Sequence, residues 1–218
     1  MTRVPNYNRI ANRYDFLGRI VFGNQLVTAQ NHFLSDLVDP RRILIFGGGT
    51  GAMIIPLLKM YPYTSIHFLE SSAAMISKAK ARITSENNNV SFTCGTEQDL
   101  EGKTNVYDVV ITPFVLDVFK EKDIGNVIEL LFNALGSGGR WIHTDFYVDR
   151  NSPGWQKMMI WLMYRFFKIA ARQPNQMLLN FDIYFDSFPL HQLAHRSFYH
   201  QMMRTYLYEK YQENEPSH

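Results

Sequence analysis

The chain has 218 residues, 46% of them hydrophobic, which is enough for one substantial core and short for two full domains. Lys and Arg number 22 against 20 for Asp and Glu, a formal charge of +2 with no long basic block, so nucleic acid is not an expected partner. The single cysteine, Cys94, excludes an internal disulfide and a Cys-x-x-Cys zinc or redox pair, which fits a reducing, cytoplasmic setting.

The first residues, Met1 to Arg9, include basic side chains but no apolar segment behind them, so they do not read as a secretory signal. Helical patterning is expected near Tyr7 to Phe16 and again near Asn24 to Val38, ending at Asp39-Pro40. Arg42 to Phe46 follows as a short continuous apolar run, which suits a strand buried on both faces of a parallel sheet.

That strand runs into Gly47-Gly48-Gly49-Thr50-Gly51. A glycine-rich turn between a buried strand and a helix lets a ligand approach the backbone and offers it free N–H groups. Gly47-x-Gly49-x-x-Ala52 also satisfies the dinucleotide pattern, so the turn alone is compatible with several nucleotide cofactors. The next helix tolerates Pro56 near its start and turns at Tyr61-Pro62. A second strand, Ser65 to Glu70, ends on a carboxylate 23 residues past Gly47, where it can accept hydrogen bonds from both hydroxyls of an adenosine ribose.

Further along, a helix passes through Met75, Ile76 and Ala79, and strands are expected at Val90–Cys94, Tyr107–Ile111 and Arg140–Thr144. A helix from Asp123 to Leu135 and a glycine stop at Gly136 to Gly139 precede the last of these. Strands alternating with helices predict an α/β fold, a doubly wound, mostly parallel sheet with right-handed crossovers. From Trp155 to Ala171 a helix is expected with a wide apolar face; its most apolar window, Met158 to Phe167, falls short of the ~20 residues needed to span a bilayer. That face is a candidate for core packing, an apolar acceptor pocket, a membrane surface, or a homodimer contact through Trp155–Ile169. His191 and His195 could share a helix face, but without cysteines or a third acidic ligand they give no reason to assign a metal. The aromatic-rich end, from Ala194 to Glu209, reads as an antiparallel hairpin on the sheet edge. The single domain therefore divides into an N-terminal helical cover (1–40), a cofactor-binding core (41–150), a helical insertion on the substrate side (151–193) and the terminal hairpin (194–210).

Several segments resemble class I S-adenosylmethionine-dependent methyltransferases. Ile43 to Gly51 is similar to their first motif, and Glu70-Ser-Ser-Ala-Ala-Met75 to the D-x-S-x-x-M after their second strand. Gly95-Thr-Glu-Gln-Asp-Leu100 and Tyr107 to Phe119 are similar to the motifs after strand three and at strand four. Tyr7 to Asp15 resembles the cofactor-covering segment of ubiquinone and menaquinone biosynthesis methyltransferases. The resemblance implies a seven-stranded Rossmann-like sheet and S-adenosylmethionine as cofactor. It also implies that Gly47, Gly48, Gly49 and Gly51 lie against the methionine part, Glu70 and Ser71 at the ribose and Met75 on adenine. Thr96 and Glu97 would face the adenine edge, Thr112 and Phe114 would border the cofactor after strand four, and Tyr7 and Tyr14 would close over the sulfonium. The chain departs from the family at Ile45, where an acidic residue is usual, at Thr96 in place of Asp, and at Asp117 in place of His. At Ile45 and the three glycines it is similar to spermidine synthases, whose Asp is replaced by Thr50.

Methyl transfer from a sulfonium needs an in-line nucleophile, and positioning can supply ~7–11 kcal/mol of the barrier. If the acceptor must lose a proton, Asp117, His143 and Asp145 follow the fourth and fifth strands, where a parallel sheet places its ligand crevice. The expected function is transfer to a small, apolar or aromatic acceptor. The alternatives are an NAD(P)-dependent oxidoreductase, an aminopropyltransferase of the spermidine synthase type, and a non-catalytic S-adenosylmethionine-binding domain. An oxidoreductase leaves the Glu70-x-Ser72-x-x-Met75 pattern without a role.

Overall fold

The computed structural model describes residues 22–83, 89–147, 152–161 and 181–211. Seven strands among them form one sheet: β1 (Arg42–Phe46), β2 (Ser65–Glu70), β3 (Val90–Cys94), β4 (Tyr107–Pro113), β5 (Leu135–Phe146), β6 (Leu190–Phe198) and β7 (Met203–Lys210). Their spatial order is β3-β2-β1-β4-β5-β7-β6. The first five are parallel, and β7 runs antiparallel between β5 and β6. The expected Rossmann-like methyltransferase sheet with its terminal hairpin is thus present, with the last strand innermost.

Helices cover both faces: α1 (Gln25–Asn31), α2 (Ile54–Met60), α3 (Ala73–Lys80), α4 (Glu121–Ala134), α5 (residues 154–161) and α6 (Phe181–Phe185). The apolar run of β1 explains why two layers form. Ile43 and Ile45 point into one core with Phe68, Ile54, Leu57 and Ala79, while Leu44 and Phe46 point into the other with Val110, Trp141, Ile124 and Leu131. A strand buried on both faces needs no polar alternation.

Three expected boundaries shift for physical reasons. The helix expected to reach Val38 ends at Asn31 and continues only as a 3-10 turn at Leu34–Asp36, where Tyr61 donates its hydroxyl to the Leu34 and Leu37 carbonyls. The glycine stop at Gly136 to Gly139 is no break between elements. β5 begins at Leu135, and the glycines form an irregularity inside it: Tyr107 pairs with Leu135, and Val109 already pairs with Arg140. The hairpin starts at Leu190, so His191 and His195 lie on the edge strand β6 and not on a helix. Each instead meets a tyrosine ring, Tyr211 and Tyr206 respectively. That edge is broken by a second irregularity between Gln192 and Ala194, which blunts it against pairing with another chain.

The hairpin is tied to the rest of the fold by buried polar links. Thr144 donates its hydroxyl to Thr205 at 3.1 Å, and Thr205 donates to the Ala29 carbonyl of α1 at 2.8 Å. Lys210 Nζ donates to the carbonyls of Phe132 and Leu135 at 3.0 and 2.7 Å, satisfying acceptors that the end of α4 leaves open. Thr205→Val keeps the volume but removes both threonine links in a fully buried position. We expect it to lower the urea midpoint by the equivalent of about 1–3 kcal/mol with an unchanged m-value.

Candidate functional site at the carboxyl edge of the sheet

β1 is flanked by β2 on one side and β4 on the other, so the chain changes direction across the sheet between β1 and β4. Loops leaving the carboxyl ends of such a pair diverge to opposite faces and open a crevice, where doubly wound sheets bind ligands. The glycine turn leaves β1 at this point. Gly47 donates its N–H to the Leu69 carbonyl at 2.9 Å and adopts φ +69°, and Gly49 and Gly51 are also left-handed at +56° and +77°. A Cβ on Gly47 would lie 2.1 Å from Val115 Cγ2, and one on Gly48 would lie 2.4 Å from the Phe68 ring. On Gly51 it would lie 2.7 Å from Ala79 Cβ. Gly49 differs: a Cβ there meets nothing within 4 Å among the described residues. Three glycines therefore serve close packing, and the fourth faces open space where a ligand can lie on the backbone.

Glu70, at the end of β2, is buried to 7% exposure directly beside that space. Its Oε2 accepts the Gly49 N–H at 3.0 Å, its Oε1 accepts the Ser72 N–H at 2.9 Å, and the Ser71 hydroxyl donates to Oε1 at 3.4 Å. Burial pushes the carboxyl above its ordinary range, and the N–H groups of Ser72 and Gly49 pull it back toward the charged form. A carboxylate has about four lone-pair sites, and these three donors leave one, on Oε2, for a ribose hydroxyl. Open space over Gly49 and this anchored carboxylate together fit the nucleoside part of S-adenosylmethionine. Ser72 caps α3 by accepting the Met75 N–H at 3.3 Å, and Met75 is buried beneath the same edge.

The other expected contacts divide. Thr96 caps a 3-10 turn at Glu97–Leu100, accepting the Gln98 N–H, while Asp99 accepts the Thr96 N–H. Its hydroxyl is thus committed locally. Glu97 is buried at the same rim, and burial, with Asp123 nearby, raises its carboxyl. Thr112 is fully buried and faces the α4 side of the sheet, where its Oγ1 accepts the Trp141 indole N–H at 3.0 Å and meets His143 Nδ1 at 3.1 Å. Phe114 has φ +52° and turns its ring onto Phe146 at 5.0 Å, into a small cluster with Phe22 and Ile160, instead of toward the glycine turn. Tyr7 and Tyr14 lie outside the described residues, as does the part of the expected Trp155–Ala171 helix past Trp161.

His143 and Asp145 lie near the carboxyl end of β5 and line one pocket, and Asp117, in the turn after β4, meets Asp145. The Asp117 N–H donates to Asp145 Oδ2 at 3.2 Å, and the Phe146 N–H donates to Asp145 Oδ1 at 2.9 Å. Burial, reinforced by the neighbouring Asp117 carboxyl, holds Asp145 well above the ordinary carboxylate range. His143 is 1% exposed, stacked on Phe185 and edge-on to Phe181, and burial depresses it to about 3. It therefore remains neutral near neutral pH.

Sequence reasoning missed Val115, which locks the turns after β1 and β4 together. It also missed Arg82, which donates to the Thr50 carbonyl at 2.6 Å and to its hydroxyl at 3.2 Å, and the pair Arg204 and Tyr206 on β7. None carries a local motif; each is recruited by the way distant elements meet.

Residues 43–139 match the family model described as "Methyltransferase domain". The chain is 30% identical over 90 residues to polyamine aminopropyltransferase 2 of Bacillus cereus, a stretch covering 37% of this chain and 25% of that protein. Among solved structures it is similar to an O-methyltransferase family protein from Burkholderia thailandensis, with a TM-score of 0.71 at 15% identity, covering 97% of this chain and 65% of that one. It is also similar to mitomycin 7-O-methyltransferase, with a TM-score of 0.67 at 14% identity over 94% and 60%. Human N-acetylserotonin methyltransferase in complex with SAM gives 0.65 at 16% identity over 94% and 57%. The chain thus spans a quarter of the aminopropyltransferase and about three fifths of these three structures.

His143 provides a check on this geometry. Because its folded value is depressed to about 3 from 6.5, the unfolded chain binds the extra proton between those values, and stability must rise with pH across that window. In urea titrations we expect wild type to lose stability more steeply than His143→Gln on acidification through the window, the difference approaching about 1.4 kcal/mol per pH unit. Parallel curves would mean that His143 is charged or solvated in the folded chain. With the strand order, the glycine turn and its anchored carboxylate described, residues 43–139 thus match a methyltransferase domain within a sheet of the Rossmann-like methyltransferase fold.

Proposed function

We propose that the chain transfers the methyl group of S-adenosylmethionine to a small molecule bound over the ends of β4 and β5. The observation that carries this reading is the buried Glu70 carboxylate, held by Gly49 and Ser72 beside the one glycine of the turn that faces open space. The sulfonium cofactor supplies an activated methyl group. The protein's part is to hold the donor on the glycine turn, orient its ribose through Glu70, and exclude water from the line between sulfur and acceptor. Asp145 acts as a positioning residue, because its two oxygens fix the turn after β4 against the end of β5. Asp117 is the group at this edge suited to accept a proton from the acceptor.

The match to an aminopropyltransferase favours a second reading, transfer of an aminopropyl group from decarboxylated S-adenosylmethionine to an amine. Thr50 argues against it. Its hydroxyl and carbonyl are bound by Arg82, which puts a cation where an ammonium ligand would need a carboxylate.

Thermal shift and calorimetry separate these readings. S-adenosylhomocysteine at about 100 Kd is expected to raise stability by about 2.7 kcal/mol, with NADH giving no shift. If NADH binds and S-adenosylhomocysteine does not, the donor assignment fails; if decarboxylated S-adenosylmethionine binds more tightly than S-adenosylmethionine, the second reading replaces the first. Glu70→Ala should weaken S-adenosylhomocysteine binding at least about tenfold, since hydrogen bonds to a charged group contribute roughly 1.5–3 kcal/mol. Gly49→Val, which projects a branched side chain into the open space, should abolish it.

A further inference from the structure

We infer that the outward face of α5, formed by Trp155, Lys157, Met158 and Trp161, docks on a lipid surface that carries negative charge. The inference goes beyond the methyltransferase reading and does not depend on it.

α5 comes after β5 and is built the opposite way round from a helix packed on a core. Its inward face carries the buried Ile160, in the cluster of Phe22, Phe146, Met202 and Met203, and the buried Gln156. Gln156 Nε2 donates to the His200 carbonyl at 2.9 Å. Trp155, Met158 and Trp161, by contrast, are 45%, 66% and 59% exposed. At 3.6 residues per turn these three positions fall within an arc of about 120°, with the exposed Lys157 beside them. A polar side chain is thus buried and two tryptophans are left outside, the reverse of the usual preference and the mark of a face that meets something else. The face is also held in one place. The Trp155 ring meets His200 edge-on at 5.6 Å, and Tyr199, His200 and Gln201 are all left-handed, at φ +42°, +54° and +68°. The Gln156 bond fixes α5 to that strained turn.

Charge distinguishes a lipid surface from a second copy of the chain. Between Asp149 and Asp182 the sequence has five Lys and Arg residues, Lys157 among them, and no acid. Residues 1–21, which join the fold at Phe22 in the cluster that holds Ile160, have four cations and one acid, Asp15. Nine of the 22 cations thus belong to these two segments with one of the 20 acids, and the rest of the chain is net negative. A twofold pairing through α5 would set like charges against each other, whereas a layer of anionic headgroups neutralises them. The area points the same way. Two half-exposed indoles and a methionine offer on the order of 300 Å², well below the ~800 Å² that each partner gives to a stable protein interface. Indole rings beside a cation are also the groups that settle at the headgroup level of a bilayer.

The test is flotation of the full chain with vesicles of phosphatidylcholine alone and of phosphatidylcholine mixed with phosphatidylglycerol. Binding to the anionic vesicles is expected to exceed binding to the neutral ones at least about tenfold and to fall as salt is raised. Met158→Glu, which places an acid in the exposed face, should weaken it at least about tenfold with an unchanged Tm. Fluorescence gives a second reading. Trp141 is fully buried, so acrylamide added without vesicles should quench Trp155 and Trp161, and anionic vesicles should shift their emission to the blue and protect them. No binding, equal binding to both kinds of vesicle, or wild-type binding by Met158→Glu overturns the proposal. So does a dimer that Met158→Glu dissociates, or shielding of Trp155 and Trp161 before vesicles are added, because another copy or another part of the chain then covers the face. Should Met158→Glu not fold, the salt dependence and the quenching of wild type decide the matter. Vesicle binding is read without cofactor, so a failure to bind S-adenosylhomocysteine would count against the methyltransferase reading alone.

Discussion

The absence of a side chain at Gly47 is the constraint on which the site depends. Val115, in the turn after β4, occupies the space a Cβ would need, so the loops leaving β1 and β4 touch at the point where the strand order reverses. Any larger residue would push them apart and open the crevice to water. The left-handed conformation at Gly47 adds to this, because it directs the turn back over β2 and brings Gly49 against Glu70. One steric condition thus brings the packing of two strands, the path of the turn and the seat of the carboxylate to one place.

Glu70 shows how such an edge holds a charge. Burial opposes ionisation, and two backbone N–H groups offset it, so the carboxylate is held in one orientation before any ligand arrives. Asp145 repeats the arrangement on the other side of β4, again with backbone N–H groups on both oxygens. The two acids therefore act as fixed dipolar frames, which limits reorganisation when a donor and an acceptor molecule are brought together. His143 belongs to a different layer. It is neutral, enclosed by the rings of Phe181, Phe185 and Tyr206, and connected through Thr112 to Trp141 on its own strand, so its orientation is set by the core.

The departures from the family pattern have packing explanations. Ile45, where an acidic residue is usual, is fully buried under the glycine turn in contact range of the position a Gly48 Cβ would take, a place with no room for a hydrated carboxylate. Thr96 in place of Asp serves as a cap, reciprocated by Asp99, and leaves the buried Glu97 as the acid at that rim.

By itself the sequence determined the strands and the glycine turn with its flanking carboxylate, because those signals are local. A continuous apolar run such as Arg42–Phe46 can only be satisfied by burial on both faces, four glycines in five residues can only form a turn, and Glu70 closes a strand next to a serine that can cap a helix. Three-dimensional packing decided what has no local signature. Gly136 to Gly139 read as a terminator yet lie within β5, since pairing with β4 and β7 outweighs the propensity of the glycines to break a strand. His191 and His195 are four apart on a strand and so lie too far from each other to share a ligand, which helical spacing would have allowed. Thr112 turned to the core and Phe114 to a side cluster because the face each residue presents depends on the strand register and on the partners across the sheet. The side chains where β5 meets β7 were hidden for the same reason. Trp141, His143, Arg204 and Tyr206 belong to a strand and a hairpin more than fifty residues apart, and only the antiparallel pairing of β5 with β7 sets them side by side.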